Sequence, residues 1–218
     1  MKLLHKLYMI LGSLLCDVYL ICWNIRDRVS PPRTDAVLFV AHPDDDALFF
    51  HTVIQEKKPY VVLLFTGWSV RRLHDFFKAM KFYGVRCRAY PTVSSDAYYD
   101  ERRRRKTERH VRHCLMLGRF SVILTHNATG EYGHSTHKLV YEAVMRQCAD
   151  WKGLTVLCPV AGDVIKKYPL NDAQLESKRY IFEHIYTTET WVMTDEAAGT
   201  PIWFYHEKVE EVKDLWRN

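Results

Sequence analysis

Short apolar runs that alternate with stretches of helical spacing constrain the fold of this 218-residue chain most strongly. Each run is rich in β-branched or aromatic residues and stops at a polar or turn-forming residue, which is typical of a strand buried on both faces of a parallel sheet. The runs are Val37–Val40, Tyr60–Phe65, Ser121–Thr125 and Leu154–Cys158, with a short edge strand over Arg88–Val93. Helices are predicted over Asp46–Lys57, Val70–Tyr83, Glu101–Leu117, Ser135–Cys148 and Ala173–Ile185. Repeated βα units predict an α/β fold, a Rossmann-like, mostly parallel sheet with helices on both faces.

The composition is compatible with one domain over residues 30–218. Hydrophobic residues make up 48% of the chain, which is enough for a sizeable core. The net charge of +5 is mildly basic, and no motif that reads nucleic acid accompanies it, so nucleic acid is not predicted as a partner. The cysteines show no regular spacing, which favours reduced thiols and a cytoplasmic catalytic domain.

The first 29 residues form a separate hydrophobic segment. Residues 7–23 are nearly continuous apolar sequence between basic flanks, and a helix there is long enough for a short membrane span or an interfacial anchor. Asp17 in its middle counts against spanning, since a carboxylate at the bilayer centre costs about 2.5–3.5 kcal/mol on insertion scales. Two interpretations remain open: membrane association through residues 7–23, or a helix packed on a soluble cytoplasmic domain.

An unusual acidic cluster follows the first predicted strand. Val40 is followed by Ala41, His42 and Pro43 and then by three consecutive aspartates, Asp44 to Asp46. Open α/β sheets place their chemistry just beyond the carboxyl ends of such strands. Three carboxylates and an imidazole repel one another unless a cation lies among them, so the cluster predicts a divalent metal. The alternative is that one aspartate only caps the next helix.

A second polar cluster, THNATGEYGHSTH at residues 125–137, follows the third buried strand. Its two glycines allow a tight turn ahead of His134 and His137. A hydrolytic zinc site takes three protein ligands and keeps a position for water. His42, one aspartate and one of these histidines supply such a set, which leaves an aspartate and a histidine for proton transfer. The alternative is that His134 and His137 merely cap a helix.

These motifs resemble the LmbE/PIG-L family of metal-dependent N-acetylglucosaminyl deacetylases. The family pattern AHPDDE is matched by AHPDDD at residues 41–46, and its later GHPDH or GHSNH motif is matched by GHSTH at residues 133–137. A weaker match to the family's R-x-x-E lies at Arg72 to Asp75. The departures are Asp46 and Asp75, each of which replaces a glutamate and shortens the side chain by one methylene.

The resemblance implies a role for each matching residue. It implies His42, Asp45 and His137 as ligands of Zn²⁺, Asp44 as general base, and His134 as the imidazolium that stabilises the oxyanion. It also implies contact between Arg72 and substrate hydroxyls or a phosphate, for which the alternative is a surface ion pair with Asp75.

The function expected from this resemblance is hydrolysis of an N-acetyl group on a glycoconjugate that contains N-acetylglucosamine. The substrate is either lipid-linked, as in N-acetylglucosaminyl-phosphatidylinositol, or a small conjugate or saccharide precursor. Two other classes remain open. Two histidines and a carboxylate also form the face of non-haem Fe(II) enzymes, so Fe²⁺ is the alternative metal. A non-catalytic sugar-binding or membrane-associated protein with the same fold is the third.

Overall fold

The computed structural model describes residues 32–67, 69–90, 101–149, 151, 153–160, 162–196 and 200–212, together with residues 11, 14, 15, 18, 20 and 21. Six strands and six α-helices are named here in chain order. They are β1 (Ala36–Val40), α1 (Asp45–Lys57), β2 (Tyr60–Leu63), α2 (Val70–Tyr83), β3 (Cys87–Ala89), α3 (Glu101–Leu115), β4 (Val122–Leu124), α4 (Ser135–Cys148), β5 (Thr155–Pro159), α5 (Asp172–His184), α6 (Pro201–Tyr205) and β6 (Val209–Glu211). Two 3₁₀ helices, Gly162–Lys167 and Thr190–Met193, flank α5.

The strands form one sheet in the order β3-β2-β1-β4-β5-β6. All neighbouring pairs are parallel except β5 with β6, which is antiparallel. This confirms the α/β fold with a mostly parallel sheet. The strand order reverses between β1 and β4, and a ligand-binding crevice forms at such a reversal. The loops after β1 and β4 are the two polar clusters of the sequence, so both open at this crevice.

Both faces of the sheet are covered, as the continuous apolar strands predict. Along β1, Ala36, Leu38 and Val40 enter the core beneath α1, α2, α5 and α6. Val37 and Phe39 enter the opposite core, beneath α3 and α4. All five residues of β1 are at most 1% exposed. The strand that carries the acidic cluster is therefore held rigidly from both sides.

Local signals set the helix ends. Ser69 accepts a hydrogen bond from the Arg72 amide at the start of α2, and Gly84 ends that helix with φ of 67°. Asn171 and Gln174 form a capping box at the start of α5. The edge strand β3 is shorter than predicted and shifted towards the N-terminus, since it ends at Ala89. Pro91, which lies outside the described residues, has no amide hydrogen to donate to a sheet.

The hydrophobic N-terminal segment lies largely outside the described residues. Residues 11, 14, 15, 18, 20 and 21 are helical. Leu20 is buried in the core beneath α1, whereas the other five are exposed. Within the described part of the chain, no helix has both the length and the apolar character needed to cross a bilayer.

Candidate metal and active site

The acidic cluster forms the turn from β1 into α1. Asp44 is the residue before the helix, and its φ of 110° lies in the region that glycine favours. Such a backbone costs about 1–3 kcal/mol and is found mainly at functional sites. The Asp44 side chain makes no capping hydrogen bond, so the helix-cap alternative fails for this residue. The strained turn leaves the Asp44 carboxylate at the mouth of the crevice.

Asp45 lies at the centre of the cluster. Its Oδ2 accepts a hydrogen bond from the His42 backbone amide (2.7 Å) and lies 3.5 Å from His42 Nδ1. The same oxygen is 3.3 Å from His126 Nε2, and Oδ1 is 3.3 Å from His137 Nε2. Although burial raises its pKa, the neighbouring His137 and His126 hold the pKa of Asp45 well below its usual range. Asp45 is therefore a buried carboxylate surrounded by three imidazoles.

Asp46 turns away from these histidines. It is fully buried, and its Oδ1 accepts hydrogen bonds from the Tyr186 hydroxyl (2.7 Å) and from the Asp44 amide (3.3 Å). Burial raises the pKa of Asp46 to about 7, although the Tyr186 hydrogen bond opposes that rise. Asp46 thus ties the turn to the end of α5 and supports the backbone of Asp44.

The loop after β4 is organised by Asn127. Its Oδ1 accepts hydrogen bonds from the Thr129 amide (3.0 Å), the Thr129 hydroxyl (2.7 Å) and the Glu131 amide (3.0 Å). Its Nδ2 donates to the Pro159 carbonyl, which anchors the loop to β5. Gly130 and Gly133 then have positive φ values of 70° and 96°. The loop is therefore a rigid turn that delivers Glu131 and His134 to the crevice.

Glu131 fixes the protonation of two histidines. Its Oε2 lies 3.1 Å from His126 Nδ1 and 2.7 Å from His137 Nδ1. A carboxylate only accepts, so both Nδ1 atoms carry hydrogen and the Nε2 atoms have the remaining roles. His126 Nε2 accepts from the Ala41 amide (3.0 Å). His137 Nε2 is buried and has no hydrogen-bond partner among the described residues.

This arrangement fits a metal ion. A neutral His137 with hydrogen on Nδ1 directs an Nε2 lone pair at the Asp45 carboxylate, and these two acceptors repel unless a cation lies between them. Without a metal the cation is a proton: burial lowers the pKa of His137, but Asp45 and Glu131 together raise it to about 10. A metal ion replaces such a proton on binding. Carboxylates that hold the second nitrogen of metal-bound histidines are a recurring feature of zinc sites, and Glu131 is placed to do this for His137.

The structure brings the three predicted metal ligands together through Asp45, which contacts both His42 and His137. Two three-residue groups in the described chain have the spacing to hold a cation. One consists of His42, His134 and His137, and the other of Asp45, His126 and His137. These groups contain four of the five residues expected at the metal or beside it from the sequence, namely His42, Asp45, His134 and His137, and His126 joins them. The ligand set itself remains a prediction.

His134 has the capping role considered from the sequence, and its ring also lies beside the candidate metal ligands. It is the cap residue of α4, and its Nδ1 accepts a hydrogen bond from the Thr136 amide (3.3 Å). In the neutral ring the hydrogen is then on Nε2. Its ring lies against that of His137, with centroids 4.5 Å apart. His134 is thus a capping residue that also presents a hydrogen-bond donor beside the metal site.

Arg72 faces the acidic cluster from α2. Its Nη2 donates to Asp44 Oδ1 (3.1 Å) and to the Pro43 carbonyl (3.0 Å), and its Nε forms an ion pair with Glu189 Oε1 (2.9 Å). The alternative of a pair with Asp75 is wrong, because Asp75 lies nearest to Arg71 and Lys78, each at 3.9 Å. Burial raises the pKa of Asp44 well above its usual range, and Arg72 only partly offsets this.

A pocket of about 290 Å³ opens over these groups. Tyr132 and Trp191 add aromatic surface to it, with 36% and 40% of their area exposed. Trp191 donates from Nε1 to Glu189 Oε2 (2.9 Å), so Glu189 holds both Trp191 and Arg72. The lining residues are His42, Asp44, Asp45, Arg72, Tyr132, His134, Glu189 and Trp191. The pocket therefore brings together a candidate metal site, a buried acid and an aromatic wall.

Sequence reasoning missed four residues of this site: His126, Glu131, Tyr132 and Glu189. His126 and Glu131 lie within the loop whose last histidines were singled out, and a polar residue directly after a buried strand was the signal available for His126. Glu189 comes from the C-terminal third, where neither periodicity nor a motif marks it. Trp191, from the same region, was expected from the sequence to belong to a strand or to a cover over the site, and it lines the pocket. Lys178, in the same third of the chain, is fully buried and does not line the pocket.

Gly130 is predicted to be intolerant of any side chain. A Cβ atom there would lie 2.5 Å from the His134 carbonyl oxygen, and overpacking of this kind costs about 1–3 kcal/mol. Gly130→Ala is expected to lower the free energy of unfolding and to weaken metal binding, because the loop carries Glu131 and His134. Urea unfolding and metal titration measure the two effects.

Gly153→Ala is the matched control, since Gly153 also has positive φ (83°) but nothing within 4 Å of the added Cβ. Equal losses of stability and of metal binding in the two variants would contradict the steric argument.

The stability of the metal-free protein is predicted to fall as pH rises above neutral. The folded pKa of His137 is about 10, against about 6.5 in an unfolded chain. Between these two pH values the folded state binds more protons than the unfolded state. The stabilisation that His137 protonation gives the folded protein is therefore complete below about pH 6.5 and is lost as pH rises through 10. Bound metal replaces the proton, so the metal-loaded protein should lose less stability. Burial lowers the pKa of Lys178 to about 8, so this residue makes the stability rise with pH. Because it does so equally in the metal-free and metal-loaded proteins, its effect cancels when the two are compared.

Urea unfolding at about pH 7 and about pH 9, with and without metal, measures this difference. A larger loss in the metal-free protein is expected. Identical pH dependence in the two forms would show that the proton and the metal do not share His137.

Comparison with known proteins finds the same fold in solved deacetylases. A deacetylase of the teicoplanin biosynthesis pathway, solved as a complex with bog, has a TM-score of 0.59 at 14% identity and covers 82% of this chain and 99% of its own. The A40926 pseudoaglycone deacetylase Dbv21 has a TM-score of 0.53 at 14% identity, over 78% of this chain and 87% of its own. The conserved protein TT1542 from Thermus thermophilus has a TM-score of 0.53 at 14% identity, over 76% and 84%.

The fold also occurs in a protein of different chemistry, GalB, the 4-carboxy-2-hydroxymuconate hydratase from Pseudomonas putida KT2440, with a TM-score of 0.52 at 13% identity. No family model matches the chain. By sequence, uncharacterized protein L374 of Acanthamoeba polyphaga mimivirus is 23% identical over 126 residues. That match covers 50% of this chain and 55% of the relative, so the chain spans about half the length of the relative it matches. The resemblance to the LmbE/PIG-L deacetylases is confirmed in the fold.

Proposed function

We propose that this protein is a metal-dependent N-deacetylase that removes the acetyl group from a glycoconjugate containing N-acetylglucosamine. The observation that carries the proposal is the convergence of the His137 Nε2 lone pair and the Asp45 carboxylate, fixed by Glu131, beneath a pocket that also holds Asp44. A site for binding alone requires no buried acid beside the metal. The shared fold with solved deacetylases supports the same activity.

His42, Asp45 and His137 are proposed to hold the metal, which we take to be Zn²⁺. Two imidazoles and one carboxylate suit catalytic zinc, and they also suit Fe²⁺. When bound, the metal polarises an amide carbonyl and lowers the pKa of water to about 7. One solved neighbour is described as the zinc-inhibited form of teicoplanin deacetylase Orf2, so titrations with this protein should begin below one equivalent of metal.

Asp44 is proposed as the general base. A base works best when its pKa lies near the operating pH, and burial moves the pKa of Asp44 upward from the ordinary value of an aspartate. Arg72 Nη2 holds Asp44 Oδ1 at 3.1 Å, which fixes the carboxylate in the strained turn. Asp44 then takes a proton from the attacking water and passes it to the departing amine.

His134 and Arg72 are proposed to bind the substrate. The Nε2 hydrogen of the neutral His134 ring is suited to stabilise the oxygen on which negative charge develops. The imidazolium implied by the family resemblance would require Nδ1 to give up its hydrogen bond from the Thr136 amide. Arg72 lines the pocket while about a third of its side chain is exposed. Because Asp44, Pro43 and Glu189 already engage its guanidinium, contact with a neutral sugar hydroxyl is favoured over capture of a phosphate.

The charge of the pocket argues for an uncharged reacting group. Among the described residues that line it, Asp44, Asp45 and Glu189 face a single guanidinium, that of Arg72. Three carboxylates and one guanidinium leave two negative charges, which a bound divalent metal would only neutralise, so the pocket offers a polyanionic substrate no net attraction. An N-acetyl group on a sugar carries no charge. Tyr132 and Trp191 offer apolar aromatic surface to the sugar ring, and the volume accommodates a ring of that size beside the amide.

The Asp44→Asn variant is predicted to keep the metal and lose the activity. Asparagine has the same shape but cannot accept the proton, and general bases contribute about 100-fold to 10,000-fold to the rate. Acetate release from a panel of N-acetylglucosamine conjugates, with metal content measured in parallel, checks this. Asp75→Asn is the matched control, because Asp75 is also buried and acidic but makes its ion pairs outside the pocket. Full activity of a metal-loaded Asp44→Asn protein would rule out Asp44 as the base.

The lipid-linked version of the substrate requires access to a membrane, and residues 7–23 are proposed to provide it. Deletion of residues 1–29 is expected to release the protein from the membrane fraction while acetate release from a water-soluble conjugate persists. Cell fractionation compares the deleted and full chains. If the full chain is recovered only in the soluble fraction, the small-conjugate substrate is favoured instead.

A further inference from the structure

The helix that carries the acidic cluster is interrupted at its middle. Phe50, inside α1, has non-helical backbone angles (φ −134°, ψ 15°). The residues before the kink, Asp45 to Phe49, contain the proposed metal ligand Asp45. They also contain Phe49, whose ring packs on those of His126 and His137 at centroid distances of 5.9 Å and 5.7 Å. The direction of this first half of the helix therefore sets the position of the metal site.

A buried ion pair lies across the kink. In a regular helix the Thr52 amide would donate to the Leu48 carbonyl, four residues earlier. Here Thr52 N donates to Glu207 Oε1 (2.7 Å), and the Leu48 carbonyl accepts from Lys178 Nζ (2.6 Å). Lys178 Nζ lies 3.7 Å from Glu207 Oε2. The two side chains thus bond the two groups that a regular helix would join to each other.

The pair is well placed to hold the kink rigidly. Lys178, from α5, is fully buried, and the Glu207 side chain is 2% exposed. Lys178 also donates to the Trp203 carbonyl (2.8 Å) in α6, and the Trp203 ring contacts the Phe49 ring at 5.4 Å. Glu207 further accepts from the Thr52 hydroxyl. A buried charge pair without such hydrogen bonds contributes little to stability and is often replaceable by apolar residues, so its bonding to Leu48 and Thr52 points to a positioning role.

We propose that Lys178 and Glu207 hold the kink of α1 in place. They thereby position Asp45, and the Phe49 ring that packs on His126 and His137, for metal binding. This inference rests on the proposed function, because it concerns the same metal site. It assigns to the C-terminal part of the chain a role in the reaction at a distance from the reacting atoms. Lys178 and Glu207 are positioning residues and touch neither metal nor substrate.

The test compares metal affinity with stability in two variants. Lys178→Met leaves Glu207 buried without a partner charge, whereas Lys178→Met with Glu207→Gln removes both charges and keeps an acceptor for the Thr52 amide. The double variant should regain most of the thermal stability that the single variant loses. Both variants should bind Zn²⁺, added alone to the metal-free protein, about 10-fold or more weakly, because the Leu48 carbonyl has lost its donor.

Leu115→Ala is the control for loss of stability, since it removes buried apolar contacts from α3, on the opposite face of the sheet. It should lower the melting temperature without changing the dissociation constant for Zn²⁺. Metal affinity equal to that of the unmodified protein in the double variant would overturn the proposal. If Lys178→Met does not fold, the double variant decides the question by itself.

Amide exchange separates this proposal from the proposed function. Glu207→Ala should make the Thr52 amide exchange faster while amides in α4 keep their protection, whether or not metal binds. Suppose that the unmodified protein binds no metal, but that the Thr52 amide exchanges faster in Glu207→Ala. The proposed metal site would then be rejected, whereas the role of Lys178 and Glu207 in holding the kink would stand. If the Thr52 amide of Glu207→Ala exchanges as slowly as in the unmodified protein, the proposed role of Glu207 at the kink is rejected directly.

Discussion

The buried carboxylate of Glu131 is the interaction on which the rest of the site depends. By accepting from Nδ1 of both His126 and His137, it fixes the tautomers of two imidazoles at once. Nε2 of His126 then accepts a hydrogen bond from the Ala41 amide, which links the loop after β4 to the end of β1. His137 directs its Nε2 at Asp45. Burial raises the pKa of Glu131, but the two histidines outweigh burial and lower it to about 2. Glu131 therefore remains an acceptor across the whole physiological pH range.

The site separates its carboxylates by their surroundings. Asp45 is held ionised by histidines, and Asp46 is buried against Tyr186 with a pKa near 7. Asp44 is the most strained of the three, with a positive φ and a raised pKa. Adjacent groups of one residue type thus have different protonation behaviour, which suits the roles proposed for them: cation ligand for Asp45, backbone support for Asp46 and proton acceptor for Asp44. The strain at Asp44 is sustained because β1 is packed on both faces and Arg72 grips the turn.

Much of the fold could be predicted because the relevant interactions are local. The ends of α2 and α4 match the prediction at both termini, since Ser69, Gly84 and His134 act within a few residues of themselves. Part of the site followed for the same reason: the β1–α1 turn and the loop after β4 are continuous segments, each with a dense polar signature. The shortened β3 was less predictable, because the bounds of a strand depend on which neighbour it pairs with.

The sequence by itself determined the alternation of strands and helices, the two polar clusters that follow β1 and β4, and the residue types able to hold a metal. Only the tertiary structure decided that Arg72 meets Asp44 and Glu189 and not Asp75, that His126 joins the site, and that Lys178 supports a helix kink. These outcomes depend on contacts between segments distant along the chain, such as Leu48 with Lys178 and Thr52 with Glu207. Periodicity and motif spacing record which face of an element is buried, but they contain no information on which buried polar group will meet another.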